Sequence, residues 1–216
     1  EADMTKEEEF FLVIEKLEGK DLGAKIGSKK LDAGTVVEFS KDIAEALSDL
    51  HAIFTIHRDL KPANLVVVRR NGEEHCVLVD FGIGKLIKDA TTGYGVGTHA
   101  WSCKHNFANP RRVGEDCDVY ALGRVMFYMT TGKSPTSFEI TDGPRQGNLR
   151  KLISDTDGYR HVSRELSELI NDMVSFGVDR ATAHKIQTAG EVIDRLDSLK
   201  PLAAQFQKVQ VAKYTK

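Results

Sequence analysis

Two short motifs stand out in the middle of the chain: HRDLKPAN at residues 57–64 and DFG at residues 80–82. The first motif presents a carboxylate (Asp59), an ammonium (Lys61) and an amide (Asn64) within one short loop. The second motif supplies another carboxylate, Asp80, after a predicted hairpin. Together these residue types suit the handling of phosphate groups, because they combine oxygen ligands with a cation.

Each of these side chains has a chemical use at such a site. Asp80 and Asn64 carry hard oxygen ligands, which suit Mg²⁺ that bridges phosphates. Asp59 can accept a proton from a hydroxyl nucleophile or orient it. Lys61 can neutralise charge on a phosphoryl group during its transfer.

The pattern around the motifs predicts a mostly helical body. Apolar residues at steps of three or four predict one face of a long helix, and they are Phe39, Ile43, Leu47, Leu50 and Phe54. Short β-branched runs flank Asn71-Gly72, which predicts a β-hairpin with strands at Val66–Val68 and Cys76–Val79. Further helices are predicted at Asp118–Met129, Ser163–Val174 and Ala189–Leu199.

The first 34 residues predict a strand, a turn and a loop, and no helix. The apolar run Phe10–Ile14 predicts a buried strand, and Glu18–Asp21 the turn that leaves it. A loop rich in Gly, Lys and Ser is predicted from Gly23 to Gly34.

Composition excludes several classes of function. The 216 residues carry 30 Lys and Arg against 32 Asp and Glu, so no basic excess suggests a nucleic-acid partner. No apolar run is long enough to span a membrane. The three cysteines Cys76, Cys103 and Cys117 are odd in number and far apart, which argues against a disulfide framework or a zinc cage. We therefore predict an intracellular protein, cytoplasmic or nuclear.

The motifs resemble those of the eukaryotic protein kinase family, in its serine/threonine form. HRDLKPAN matches the catalytic loop H-R-D-L-x-x-x-N, and DFG matches the metal-binding motif. The resemblance implies a mainly α (α+β) fold, the large helical lobe of a kinase with a short β-hairpin beside the catalytic loop. It divides the chain into a residual small-lobe strand and hinge (1–18), the large lobe (19–200) and a C-terminal tail (201–216).

The resemblance also implies ATP and Mg²⁺ as cofactors and assigns roles to residues. The catalytic residues would be Asp59, Lys61, Asn64 and Asp80, with Asn64 and Asp80 as the metal ligands. The stretch LVIEKLEG at residues 12–19 resembles the hinge. The backbone of Glu15 and Leu17 would meet adenine, Asp21 would meet the ribose, and Val66 would lie under the adenine ring.

Other matches imply regulatory and structural residues. Arg58 would bind a phosphorylated activation loop with Thr91 and Thr92 as candidate phosphosites, and Thr98 would lie near the catalytic residues. Asp118, in DVYALG at residues 118–123, would brace the backbone of the catalytic loop. His57 would pack under Phe81, and Arg180 belongs to a late R-x-T-A-like segment.

Two features depart from the family pattern. Only residues 1–9 precede the predicted hinge strand, so this sequence shows no glycine-rich loop, strand lysine or helix glutamate there. Cys103-Lys104-His105 stands where the family carries A-P-E, and His105 cannot supply the carboxylate that pairs with the late arginine. We therefore expect the isolated chain to bind Mg-ATP weakly and to transfer little phosphate.

Three functions remain open from the sequence. The chain is the C-terminal lobe of an active kinase that transfers the γ-phosphoryl group of ATP to protein Ser or Thr hydroxyls, or a naturally truncated pseudokinase-like scaffold or regulatory module. A small-molecule kinase fits the HRDLKP loop less well. The expected partners are a protein substrate or regulator and the missing small lobe, without nucleic acid or membrane. Apolar surface around Ile14, Val66 and Phe81 also favours self-association.

Overall fold

The structure of the protein is a computed structural model. It describes residues 15–27, 29–80, 100–103, 113–135, 153, 159, 162–174 and 186–200. In chain order the elements are β1 (Gly19–Asp21), α1 (Leu22–Ile26), α2 (Ala33–Ala52), a short 3₁₀ turn (Pro62–Asn64), β2 (Leu65–Arg70), β3 (Glu73–Leu78), α3 (Glu115–Thr131), α4 (Ser163–Val174) and α5 (189–200). Within these ranges no helix is long and apolar enough to cross a membrane.

The long helix α2 forms largely as the periodicity predicts. Asp32 caps its N-terminus, accepting a hydrogen bond from the backbone N–H of Thr35 at 3.0 Å. Its apolar face is buried, but the helix ends at Ala52, where the chain turns and Thr55 N–H donates to the carbonyl of Leu50. The prediction that Phe54 lies on the buried face is therefore wrong, and its side chain is 97% exposed.

A three-stranded antiparallel sheet in the order β1-β2-β3 lies beside the predicted catalytic loop. The hairpin between β2 and β3 is confirmed, with Asn71 and Gly72 at positive φ (52° and 89°), as a tight two-residue turn requires. The predicted turn at residues 18–21 is wrong, because Gly19–Asp21 pairs with β2 as β1. The loop predicted from Gly23 to Gly34 is wrong at both ends, because α1 extends to Ile26 and α2 begins at Ala33. The Asp21 carboxylate caps the first turn of α1.

Helix α3 runs through the core and packs against α2 and α4. Almost all of its side chains from Cys117 to Met129 are buried. The helix extends the predicted Asp118–Met129 at both ends, α4 has its predicted bounds, and α5 extends the predicted Ala189–Leu199 by one residue. Because α3 begins beside the loop that follows α2, its first turn can reach that loop.

The contact between α3 and α4 requires a glycine. A Cβ atom at Gly123 would lie 2.9 Å from the Met173 Cβ and 2.9 Å from a Val174 methyl group. We expect Gly123→Ala to force the helices apart and to lower the free energy of unfolding by about 1–3 kcal/mol in urea titrations. The matched control is Gly190→Ala in α5, where the nearest atom lies at 4.0 Å, and it should be neutral or stabilising. Equal effects of the two substitutions would contradict this packing argument.

Candidate active site

The loop at residues 57–64 connects α2 to β2, and a buried carboxylate from α3 holds it. Asp118 Oδ2 accepts a hydrogen bond from the backbone N–H of His57 at 2.8 Å, and Oδ1 accepts one from Arg58 N–H at 2.9 Å. The Asp118 residue is 1% exposed. The carboxylate thus satisfies two loop donors at a site that water does not reach. This contact is the one expected of Asp118 from the sequence.

A third group reaches the same carboxylate, and sequence reasoning missed it. His51, in the last turn of α2, places its Nε2 atom 3.0 Å from Asp118 Oδ2. Its Nδ1 atom lies 3.7 Å from a Glu115 carboxylate oxygen. The available signal was a polar residue one helical turn after Leu47, on the apolar face of α2. Asp118 therefore joins α2, α3 and the loop.

Three of the predicted catalytic residues come together in the loop. Asp59 is 4% exposed, and the Lys61 ammonium lies 2.7 Å from its Oδ2 atom. Asn64 Nδ2 donates to the Asp59 carbonyl at 2.9 Å and lies 3.4 Å from Oδ2. Lys61 is partly exposed, so its ammonium can also meet an anion that enters from solvent.

The fourth residue, Asp80, is tied to the loop through the chain. Val79 N–H donates to the Asn64 carbonyl at 2.9 Å, and Asp80 directly follows. Asp80 has φ +61° and Arg58 has φ +65°, values in the left-handed region that non-glycine residues seldom occupy. Such backbone strain persists only where surrounding contacts enforce it, and it concentrates at functional sites.

The donor set at Asn64 and Asp80 fits a magnesium ion. Asn64 uses its amide nitrogen to bond Asp59, so its Oδ1 atom is the candidate ligand, and the Asp80 carboxylate is exposed. Mg²⁺ keeps several waters or phosphate oxygens and needs few protein ligands. In the described part of the chain no cluster of three or more His, Cys, Asp or Glu side chains forms a dedicated metal cage.

The predicted nucleotide-binding residues lie on or next to the sheet. Val66 and Asp21 are directly opposite each other on β2 and β1, and Val66 is half-buried. Asp21 uses one carboxylate oxygen as the helix cap, at 2.8 Å from Ala24 N. Leu17 is half-buried, and the exposed Glu15 carboxylate lies 3.7 Å from the Arg70 guanidinium. Their contacts with a nucleotide stay predictions.

The remaining assigned residues divide between the described and undescribed parts of the chain. His57 is 1% exposed, which suits a packed structural residue, and the Arg58 residue is half-buried. The assigned residues that lie outside the described ranges are Phe81, Thr91, Thr92, Thr98 and Arg180, and the predicted strand Phe10–Ile14 also lies outside them. Their roles stay predictions.

The expectation that the cysteines are unpaired is wrong for two of the three. Cys103 and Cys117 form a disulfide, with their Cα atoms 5.4 Å apart, whereas Cys76 is a buried free thiol. Their sequence separation of 14 matches no motif, so only the tertiary structure brings them together. The argument for a reducing compartment, which rested on unpaired cysteines, loses this support.

Comparison with known proteins agrees with the fold and the motifs. The protein kinase domain family matches residues 2–189. Serine/threonine-protein kinase B of Synechocystis is 30% identical over 201 residues, covering 88% of this chain and 32% of the relative. Serine/threonine-protein kinase Pkn1 of Myxococcus xanthus is 38% identical over 134 residues, covering 60% of this chain and 19% of the relative. The crystal structure of the Mycobacterium tuberculosis PknI kinase domain superposes with a TM-score of 0.61 at 20% identity, covering 85% of this chain and 63% of that one.

The fold and the loop motifs define a kinase-like helical lobe. The chain belongs to the protein kinase domain family, and the curated relatives named above are serine/threonine-protein kinases. It spans about a third or less of the length of these curated relatives.

The Asp118 contacts predict a specific stability effect. We expect Asp118→Asn to lower the free energy of unfolding by at least about 2 kcal/mol. The two carboxylate oxygens each accept from one loop N–H group, whereas the amide offers only one, uncharged, acceptor oxygen. Denaturant titration measures the change. The control is Asp194→Asn on the exposed side of α5, which should stay within about 0.5 kcal/mol of the parent. A loss at Asp118 no larger than the control would show that the buried contacts do not hold the loop.

Proposed function

We propose that this chain is the substrate- and metal-binding lobe of a protein serine/threonine kinase, which transfers the γ-phosphoryl group of ATP to protein hydroxyls. The observation that carries the proposal is the hydrogen-bonded cluster of Asp59, Lys61 and Asn64. A backbone hydrogen bond from Val79 to Asn64 links this cluster to Asp80, the next residue. Membership of the kinase family supports the reaction class.

In this proposal Asp59 receives the substrate hydroxyl. A carboxylate can orient a Ser or Thr hydroxyl and accept its proton as the oxygen attacks phosphorus. The Asn64 contact to the Asp59 backbone limits the movement of this residue. Lys61 lies beside the same carboxylate and can stabilise charge on the phosphoryl group during transfer.

The metal and nucleotide would occupy the neighbouring positions. Asn64 and Asp80 would hold Mg²⁺, which neutralises phosphate charge when bound. The adenine would lie over Val66 against the backbone of Glu15 and Leu17, and the ribose would lie near Asp21. Because Asp21 already caps α1 with one oxygen, the other is available for a ribose hydroxyl.

We expect the 216 residues alone to bind Mg-ATP weakly and to transfer little phosphate. Kinases clamp the α- and β-phosphates with a glycine-rich loop and a strand lysine, and residues 1–18 contain no counterpart. A site open to water on that side screens its electrostatic contacts. In this proposal a longer parent protein supplies these parts. Self-association near Val66 and an intracellular location, cytoplasmic or nuclear, stay predictions.

The pseudokinase-like scaffold stays the alternative. Its support is His105, at the position where the family carries a glutamate. A scaffold of this kind would bind protein partners with its loop residues intact and would transfer no phosphate even as the full parent protein.

Substitution of Asp59 tests the proposal. In the full parent protein, Asp59→Asn should lower γ-phosphoryl transfer from radiolabelled ATP to a general protein substrate by about 10²–10⁴-fold, since the amide cannot accept the proton. Mg-ATP affinity, measured by calorimetry, should change little. The control is Asp49→Asn on the exposed side of α2, which should leave transfer unchanged.

Substitution of Asp80 separates the metal role from the base role. Asp80→Asn should weaken nucleotide binding in the presence of Mg²⁺ and leave binding in EDTA unchanged. Equal transfer by the parent protein and its Asp59→Asn variant would refute the assignment of Asp59. Absence of transfer by the unaltered parent protein would favour the scaffold.

A further inference from the structure

The disulfide joins segment 100–103 to the first turn of α3. Cys103 ends the described segment 100–103, and Cys117 lies in the first turn of α3. The two residues are 1% and 2% exposed, and their Cα separation of 5.4 Å lies within the usual range for disulfides. The segment also contacts α3 through Trp101, whose ring meets Tyr128 edge to face at 5.7 Å between centroids.

The position of Cys117 connects this bond to the catalytic loop. Its neighbour on α3 is Asp118, which holds the backbone of His57 and Arg58. The first turn of α3 therefore carries two attachments: a hydrogen-bonded one to the loop at residues 57–64 and a covalent one to segment 100–103. A shift of this turn would displace both.

The sequence gives a reason for a covalent attachment here. Segment 100–103 follows Gly97-Thr98 closely, and the next positions, Lys104 and His105, lack the carboxylate that anchors this region in the family pattern. A disulfide can restrict the chain at the same place without an ion pair.

We propose that Cys103 and Cys117 form a redox-dependent covalent anchor, which fixes segment 100–103 to the first turn of α3 beside the catalytic loop. The bond forms by exchange with a small-molecule disulfide such as oxidised glutathione. One cysteine thiolate attacks that disulfide and releases one thiol, giving a mixed disulfide. The second cysteine then displaces the other thiol, so two electrons pass from the cysteines to the small molecule.

The third cysteine does not compete for this bond. Cys76 lies on β3, is buried as a free thiol, and its backbone N–H donates to Asp42. Burial, and to a smaller extent the Asp42 charge, raise the pKa of the Cys76 thiol to about 12. Cys103 and Cys117 are equally buried, so what sets Cys76 apart is its place: the structure bonds Cys103 to Cys117 and leaves Cys76, on β3, as the free thiol.

A count of alkylatable thiols tests whether the bond forms. The chain is equilibrated in glutathione buffers from fully reduced to fully oxidised, quenched with acid, unfolded and alkylated. We expect alkylated cysteines to fall from three to one in the parent and from two to none in Cys76→Ser. Tryptic peptides 89–104 and 113–124 should be cross-linked in the oxidised form. Three alkylated cysteines in every buffer, or a cross-link that includes Cys76, would overturn the proposal.

Thermal unfolding tests whether the bond acts as an anchor. Reduction should lower the melting temperature of the parent chain by about 5 °C or more. The same treatment should not change the melting temperature of the Cys103→Ser/Cys117→Ser double variant, which should melt like the reduced parent. An oxidised chain that melts no higher than the reduced one would show that the bond anchors nothing.

Neither test uses ATP or a protein substrate, so failure of the anchor and failure of the proposed phosphotransfer are distinguishable. A consequence for catalysis rests on the proposed function. The resemblance places Thr98, just before segment 100–103, near the catalytic residues. In the full parent protein, reduction should therefore raise the KM for the protein substrate several-fold and leave the KM for ATP unchanged. If reduction left both KM values unchanged, the disulfide would play no part in the reaction.

Discussion

The buried carboxylate of Asp118 is the contact on which the candidate site depends. Taking a carboxylate out of water is costly unless donors replace its hydration. Here the donors are two loop N–H groups, from His57 and Arg58, with the His51 ring beside them. The carboxylate in turn stabilises the N–H groups, because burying an N–H donor without an acceptor also costs free energy. The fold therefore fixes the start of the loop at residues 57–64.

The rest of the site follows from that attachment. With Arg58 held at positive φ, the chain directs Asp59 inward, where Lys61 and Asn64 contact it. The Asn64 carbonyl then accepts a hydrogen bond from Val79 N–H, directly after β3, and this bond fixes the backbone position of the next residue, Asp80. The hairpin between β2 and β3 is short because its Asn71-Gly72 turn needs only two residues. The two-residue turn and the long-range contact of Asp118 with the loop thus bring together residues that are distant in sequence.

Sequence reasoning recovered the parts of the molecule that local patterns determine. Apolar periodicity predicted α3 and α4, and the Asn-Gly pair predicted the hairpin. The strand β1 was missed, because three exposed residues carry no periodicity and become a strand only by pairing with β2. Phe54 was misplaced because a periodic pattern does not show where a helix ends. The Cys103–Cys117 pair depends on tertiary packing, which spacing along the chain does not encode. Spacing places His51 on the apolar face of α2 but does not identify Asp118 as its partner.

Amide hydrogen exchange at His57 and Arg58, followed by NMR on the native chain, tests the central claim most directly. If Asp118 holds the loop, both amides should exchange only through large-scale unfolding, as slowly as core amides of α3 such as that of Leu122. Exchange at the rate of the exposed hairpin tip at Asn71 would show that the loop opens independently of the core. The account of a pre-formed site would then be wrong.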